Sequence, residues 1–363
     1  MTSYLLAGGG TAGHVNPMLA IADEIRRRDA AARIVMIGTK EGLESRLVPE
    51  RGYDLHTIAR LPFPRKPDAR ALRFISGWNK AVRDVQDVIA DREVDVVIGV
   101  GGYAAAPAYV AARRAGVPIV IHEANAKPGL ANRMAARWTT FVGVAFEGTR
   151  LPNARFVGMP LRPEIQSLDL TATREQAREH FGLAQDHPVL LVTGGSLGAN
   201  RLNEAVSGAL PALLRAGIHV LHITGEKATT APAQESGYVS LPYCDRMDLA
   251  FAAADLVLSR AGASTVSEVS ALGIPAVFVP YAVGNGEQRL NAQAAVDAHG
   301  ALLVSDADLT ANWLTHHVIP VISSSRTLAK MGKAMASVGT RLGSELTVNL
   351  VEEALASRVT PAS

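Results

Sequence analysis

The chain has 363 residues, 48% of them hydrophobic and 19% charged, with a formal net charge of +2. That length exceeds one ordinary core and suits two domains, and the apolar share excludes a disordered chain. The single cysteine, Cys244, excludes an internal disulfide framework and a cysteine-built metal site.

The charge is uneven along the chain. Residues 1–160 hold 22 Lys and Arg against 15 Asp and Glu, whereas the rest hold 14 against 19. A basic first half suits an anionic partner such as a phosphate, a nucleic acid or a membrane surface. The first ten residues have no basic segment and only a short apolar run, so they do not read as a secretory signal. Residues 94–112 are the best candidate for a membrane span, but Asp95, Gly99, Gly101, Gly102 and Pro107 interrupt them. They read instead as strand, turn and helix. A soluble, cytoplasmic chain is expected.

From the N-terminus, residues 4–7 form an apolar run that leads into Gly8, and Pro17 is read as the first helical position of a stretch that ends near Asp29. Residues 33–37, 94–99, 118–122 and 140–144 read as further buried strands with helical stretches between them. This alternation predicts a parallel sheet covered on both faces. Val157-Gly-Met-Pro-Leu-Arg-Pro163 reads as a linker, after which the pattern restarts. Residues 189–192, 219–224, 256–259 and 276–279 are the strand-like runs of the second half. The predicted fold is therefore α/β, with two Rossmann-like domains facing across a cleft. The expected divisions are a first domain over 1–157, a linker over 158–164, a second domain over 165–340, and a C-terminal helix in 341–363 that packs back on the first domain.

Glycine turns follow several of these strands. Gly8-Gly-Gly-Thr-Ala-Gly13 matches G-x-G-x-x-G, the dinucleotide fingerprint, yet the second strand ends Met36-Ile-Gly-Thr39 without an acidic residue for a ribose. Gly99-Val-Gly-Gly102 and Gly194-Gly-Ser-Leu-Gly198 are further turns of this kind. Glycines there let backbone N–H groups approach an anion at a helix N-terminus. Gly262-Ala-Ser-Thr-Val-Ser-Glu268 opens another helix and carries two readings. Thr265 and Glu268 could form a capping box, or Glu268 could accept hydrogen bonds from a ribose diol. In Gly286-Glu-Gln-Arg-Leu-Asn291, Gln288 and Asn291 are amides that either bind a sugar or simply start a helix. His14, in the mouth of the first turn, suits a general base or a donor to phosphate. His122-Glu-Ala-Asn125 ends a strand of the same sheet and is expected to reach the same cleft. The histidines show no metal spacing and no D-x-D pair stands in a loop, so no metal and no cofactor is expected.

These segments, in order, resemble those of the GT-B glycosyltransferases, and among them the MurG family, which transfers N-acetylglucosamine from UDP to lipid I in peptidoglycan synthesis. The resemblance runs from about residue 5 to about residue 355. It rests on Gly8-Gly-Gly-Thr-Ala-Gly-His-Val-Asn-Pro17, Gly99-Val-Gly-Gly-Tyr103, His122-Glu-Ala-Asn125, Gly194-Gly-Ser-Leu-Gly-Ala199 and the Gly262–Glu268 segment. It implies an inverting hexosyltransferase whose second half holds UDP-N-acetylglucosamine. Glu268 would take the ribose, Ser196 the diphosphate, Ala263, Ser264 and Thr265 the adjoining contacts, and Arg162 the phosphate charge. Cys244 would contact uracil through its backbone, and Gln288 the sugar hydroxyls. The first half would take lipid I, with Thr11, Ala12, Gly13 and Asn125 lining the cleft against the donor, Gly10, Gly101, Gly102 and Tyr103 in the acceptor and phosphate loops, and His14 as the base. Ala12, Ala124 and Leu197 depart from the family's usual glycine, glutamine and glutamine. The alternatives are a GT-B enzyme with a different lipid acceptor, a UDP-sugar epimerase of similar fold, and a non-enzymatic nucleotide-sugar-binding protein.

The resemblance also implies a peripheral protein on the cytoplasmic face of the bacterial inner membrane, with partners among cell-wall synthesis and division proteins and none in nucleic acid. Leu72, Ile75, Trp78, Val82 and Val85 form a helical stripe among Arg65, Lys66, Arg70, Arg73, Lys80 and Arg83. The stripe reads either as a surface for anionic lipid, with Ile75, Trp78 and Val82 facing the bilayer, or as the core face of a domain helix.

Overall fold

A computed structural model of the chain describes residues 1–60, 69–195, 199–226, 235–281 and 286–359, with the backbone alone for 69–73 and 359. The chain divides into two compact units, Met1–Arg162 with Arg341–Ser363, and Pro163–Thr340.

The first unit runs β1 (Ser3–Ala7), α1 (Ala12–Arg28), β2 (Arg33–Thr39), α2 (Glu44–Glu50), β3 (Asp54–Ile58), α3 (Ala69–Asp91), β4 (Val96–Gly99), α4 (Ala105–Ala115), β5 (Ile119–Glu123), α5 (Leu130–Ala135), β6 (Val142–Val144) and β7 (Ala154–Phe156). The second runs α6 (Pro163–Gln166), α7 (Leu170–Phe181), β8 (Val189–Thr193), α8 (Asn200–Arg215), β9 (His219–Ile223), β10 (Tyr238–Leu241), α9 (Met247–Ala253), β11 (Leu256–Ser259), α10 (Ala263–Leu272), β12 (Ala276–Phe278), α11 (Glu287–Asp297), β13 (Ala301–Leu303), α12 (Ala311–Ile322) and α13 (Ser325–Ala336). The last helix, α14 (Gly343–Val359), belongs to the first unit and packs on α1, where Arg28 pairs with Glu352 at 2.9 Å.

Both sheets are parallel, with strand orders β3-β2-β1-β4-β5-β6-β7 and β10-β9-β8-β11-β12-β13. The central strands are buried on both faces, which is why they read as continuous apolar runs. In β1, Leu5 and Ala7 join the core under α3 and α4, while Tyr4 and Leu6 join the one under α1 and α14. The four strands without a counterpart in the sequence reading are β3, β7, β10 and β13. They are the four sheet edges, where burial is incomplete; β3, β7 and β10 lose the apolar run, and β13 keeps only a short one, Ala301-Leu-Leu303.

In each unit the order reverses once, between β1 and β4 and between β8 and β11. A crevice forms outside the carboxyl ends of such a strand pair, because the two following connections leave to opposite sides. The loops 8–11 and 100–104 flank the first switch point, and 194–195 and 260–262 flank the second.

Two local expectations are corrected. Helix α1 begins at Ala12, and Pro17 is its sixth residue rather than its first, so the helix N-terminus lies at Thr11–His14. Pro17 forgoes only the bond that its N–H would have made to the preceding turn. In α3, Val82 and Val85 are fully buried in the core of the first unit. Trp78 is half-buried against that core and stacks on Phe74 at 6.0 Å. Of the three side chains expected to face lipid, Ile75 alone is well exposed, at 55%. Spacings of three and four point a helix stripe at whatever apolar surface is nearest, and here that is the sheet. Arg65 and Lys66 lie outside the described residues.

Candidate active site

The first half-site is built on the β1–β4 switch point. After β1 the chain turns through Gly8, Gly9 and Gly10, the last at φ +94°, and enters α1 at Ala12. The N-cap Thr11 makes no side-chain cap bond and the first turn holds no acidic residue. The N-terminal end of α1 therefore presents positive dipole and backbone donors in the Thr11–Gly13 stretch. Thr11 and Ala12 are exposed and Gly13 is half-buried. His14 lies in that first turn with Nδ1 3.2 Å from the Thr11 hydroxyl.

The second loop of the crevice packs onto the first. A Cβ at Gly102 would stand 2.5 Å from the carbonyl oxygen of Gly9, and one at Gly101 would stand 3.2 Å from the His14 ring. Both have positive φ, +90° and +83° for Gly101 and Gly102. Glycine is thus required twice over, for conformation and for close approach. Tyr103 is exposed beside this loop, with the Arg60 guanidinium 5.0 Å from its ring.

Gly10 departs from the expected role of a phosphate donor, because its N–H is already given to the carboxylate of Glu44 at 2.8 Å. Glu44 has no exposed surface and also accepts from the Thr39 N–H at 2.8 Å and the Thr39 hydroxyl at 2.9 Å. The sequence offered no signal for this, since a glutamate in Gly42-Leu-Glu44 reads as an ordinary charge at a helix start.

Beneath the crevice lies a second buried network. Tyr109 donates to Asn132 Oδ1 at 2.7 Å, and Asn132 Nδ2 donates to Glu123 Oε2 at 3.0 Å and to the His122 carbonyl at 3.2 Å. Glu123 also accepts from the N–H groups of Asn125 and Gly129, both at 2.9 Å. Burial raises the Glu123 pKa against the opposing pull of those hydrogen bonds. Asn125 is half-buried at the end of β5, held through its N–H by this carboxylate. His122 does not reach the crevice. Its ring is fully buried, Nε2 donates to the Gly158 carbonyl at 2.9 Å, and burial depresses its pKa to about 4. Alternation along β5 puts adjacent side chains on opposite buried faces, and His122 shares that of Val120, on the side of α1 and α14.

The second half-site stands at the β8–β11 switch point. Gly194 and Gly195 follow β8, with Gly195 exposed at φ +85°. Ser196 lies outside the described residues. After β11, Gly262 is the N-cap of α10 and no side chain caps it. Thr265 is the third residue of that helix and Glu268 the sixth, so the capping-box reading is excluded and Glu268 stands one turn inside. Ala263 is buried, while Ser264, Thr265 and Glu268 are half-buried. The hydroxyl oxygens of Ser264 and Ser267 are buried with no hydrogen-bond partner among the described residues. Gln288, at the start of α11, accepts from the Tyr281 N–H at 2.9 Å, and buried Asn291 donates to the Ala261 carbonyl at 3.3 Å. The first bond ties α11 to the loop after β12, and the second ties it to the loop before α10. Arg260, also missed in the sequence, pairs with Asp306 at 2.5 Å and lies over Tyr281 at 5.4 Å. Cys244 follows β10; it is buried and its thiol pKa is pushed up by burial. Arg162 closes the first segment of the first unit and is half-buried.

Among the described residues no group of three or more His, Cys, Asp or Glu could hold a metal ion. None of the described helices is long and apolar enough to cross a membrane.

Residues 4–144 match the glycosyltransferase family 28 N-terminal domain, and residues 189–346 match the C-terminal domain of that family. The chain is 57% identical over 360 residues to the UDP-N-acetylglucosamine–N-acetylmuramyl-(pentapeptide) pyrophosphoryl-undecaprenol N-acetylglucosamine transferase of Clavibacter sepedonicus, covering 99% of this chain and 98% of that one. It is 49% identical over 358 residues to the protein of the same name from Streptomyces coelicolor, covering 98% of each. Among solved structures it is similar to Acinetobacter baumannii MurG, with a TM-score of 0.79 and 27% identity over 97% of this chain and 100% of that one. A UDP-GlcNAc 2-epimerase from Neisseria meningitidis shares the fold alone, with a TM-score of 0.69 at 14% identity over 97% of this chain and all of that one.

Proposed function

The chain belongs to glycosyltransferase family 28, and from that membership we propose that it transfers N-acetylglucosamine from UDP-N-acetylglucosamine to the muramyl sugar of undecaprenyl-pyrophosphoryl-MurNAc-pentapeptide, the lipid I of peptidoglycan synthesis. The observation that carries this reading is the near full-length identity of 57% to a transferase of that name. The fold supports it with two switch-point crevices, each flanked by glycine turns and a helix N-terminus, one for each substrate.

The reaction is an inverting displacement. The 4-hydroxyl oxygen of the muramyl sugar bonds to the anomeric carbon of N-acetylglucosamine, the bond from that carbon to the diphosphate breaks, and UDP leaves with the electron pair. His14 takes the hydroxyl proton at Nε2. For that, its Nδ1–H donates to the Thr11 hydroxyl, and the 3.2 Å contact then fixes both tautomer and ring orientation. Donor contacts fall to the second unit. Glu268 accepts from the ribose diol, the Ser264 hydroxyl and the α10 N-terminus face the diphosphate, and Ser196, Thr265 and the Cys244 backbone complete the nucleotide contacts. Arg162 meets the phosphate charge. The Gln288 oxygen is held by Tyr281, so its NH2 group is the part that serves a sugar hydroxyl. Charge developing on the leaving diphosphate is met by amides and helix dipole. The acceptor lies along Gly13, Gly101, Gly102, Tyr103 and Asn125.

A polyprenyl acceptor requires a protein that works at a bilayer. We place this chain on the cytoplasmic face of the membrane as a peripheral protein, held by Ile75 and the basic residues around the start of α3. Proteins of cell-wall synthesis and division are its expected neighbours. The deciding experiment is UDP release from UDP-N-acetylglucosamine with and without lipid I. Release that depends on lipid I and yields the disaccharide lipid supports transfer. Equal release without acceptor would instead indicate a hydrolase, and a new UDP-sugar formed without UDP release would indicate an epimerase.

A further inference from the structure

The geometry points to Glu44 as the positioning residue of the first half-site, a buried carboxylate that sets the Gly9–Gly10 turn and through it the approach of His14 to the acceptor. This rests on the transferase reading above and adds to it a residue that never meets substrate.

Three donors converge on Glu44. Oε2 accepts from the Gly10 N–H at 2.8 Å, and Oε1 accepts from the Thr39 N–H at 2.8 Å and the Thr39 hydroxyl at 2.9 Å. The side chain has no exposed surface. Three glycines, Gly9, Gly38 and Gly42, wall it in, since a Cβ at any of them would collide with Glu44 atoms. The carboxylate thus fills a slot made of backbone and joins the end of β2 to the turn after β1.

The other side of that turn is also fixed. Gly102 approaches the Gly9 backbone so closely that a Cβ would stand 2.5 Å from its oxygen and 3.1 Å from its nitrogen. The Gly9–Gly10 peptide is therefore clamped between Glu44 and the β4 loop. The same loop, through Gly101, packs on the His14 ring. Gly10 needs this clamp because its own backbone, at φ +94° with nothing within 4 Å of a notional Cβ, has no steric restraint. Glycine is the residue with the most backbone freedom to lose, so an unclamped turn would move. Glu44 also consumes the Gly10 N–H. What remains at the mouth of α1 for an anion is the Thr11–Gly13 stretch, one residue nearer to His14.

Glu44→Gln tests this while keeping size. One carboxylate oxygen becomes an NH2 group, which cannot accept from either the Gly10 or the Thr39 N–H, so one donor is left facing a donor. The expected result is a kcat lower by about ten- to a hundredfold, the loss that follows a shift of about 1 Å in a catalytic group. UDP affinity, measured by calorimetry, is expected to stay at the wild-type value. Thr39→Val, which removes only the hydroxyl donor and leaves the Gly10 bond, is expected to keep kcat within about twofold of wild type. A Glu44→Gln enzyme with wild-type kcat overturns the proposal, as does a Thr39→Val loss equal to that of Glu44→Gln. A folded-state readout stands apart from either variant. In the [15N]glycine-labelled wild type, the Gly10 amide is expected to exchange slowly although Gly10 is exposed, and rapid exchange overturns the proposal. If the wild type itself fails to glycosylate lipid I, the transferase reading fails, while the exchange measurement still reports on the clamp.

Discussion

The His14 ring lies flat enough against Gly101 that a single methyl at residue 101 would stand 3.2 Å from both Cδ2 and Nε2. The base and the second glycine loop are therefore one unit of structure. Gly101→Ala adds that methyl at a φ of +90°, a conformation that costs an L-residue about 1–3 kcal/mol. The expected variant melts at a lower temperature and has a reduced kcat, with UDP affinity unchanged. A normal kcat in a folded Gly101→Ala enzyme would show that the imidazole position is not critical.

His14→Ala is expected to lower kcat by about 10²–10⁴-fold while leaving UDP binding intact. Steady-state kinetics with both substrates varied provides the check. A loss confined to KM for UDP-N-acetylglucosamine would assign His14 to donor binding rather than proton transfer.

Glu268→Ala is expected to weaken UDP-N-acetylglucosamine by about ten- to a hundredfold, the worth of a charged hydrogen bond to the ribose. Thermal stability is expected to hold, because Gly262 rather than Thr265 caps α10 and Glu268 lies a turn inside the helix. A lower melting temperature with unchanged donor affinity would return Glu268 to a structural role.

Two buried histidines make stability fall in mild acid. Burial depresses His122 in the first unit and His222 in the second, each to about 4. The unfolded chain holds each near 6.5, so between about pH 6.5 and 4 it binds protons that the folded chain refuses. Stability is then complete above pH 6.5 and declines as the pH falls towards 4. The loss is about 2 kcal/mol for each histidine by pH 5. Denaturant melts at pH 7.5 and 5.0 measure this, and His222→Asn is expected to flatten the dependence of the second unit. A stability that is unchanged between those two pH values would contradict neutral buried imidazoles.

Membrane binding is expected to depend on Ile75 rather than on the buried part of its stripe. Ile75→Asp changes a side chain that is 55% exposed, and it is expected to weaken co-sedimentation with anionic vesicles without loss of fold. Binding of the wild type is expected to fall as salt rises, since basic residues near a charged surface contribute about 1 kcal/mol each under screening. Equal sedimentation of both proteins would place the lipid contact elsewhere. Trp78→Ser is a poor probe, because Trp78 packs on the core and stacks on Phe74.

Much of this architecture is legible in the order of residues alone. Buried parallel strands leave unbroken apolar runs such as Leu190-Leu-Val192, and the glycine turn after each central strand is a contiguous signal, so both units and their glycine loops could be read locally. The edge strands β3, β7 and β10 escaped because one side of each lies open and no apolar run forms, while β13, Ala301-Leu-Leu303, is apolar but only three residues long. The stripe through Val82 and the pair Thr265 and Glu268 each allowed two readings; packing assigned Val82 to the core, and the start of α10 at Ala263 excluded the capping box. The Glu44 clamp left no trace at all. Its carboxylate and the Gly10 amide are 34 residues apart, and a hydrogen bond over such a separation produces no period, motif or composition. It exists only because β1 and β2 lie side by side in the sheet.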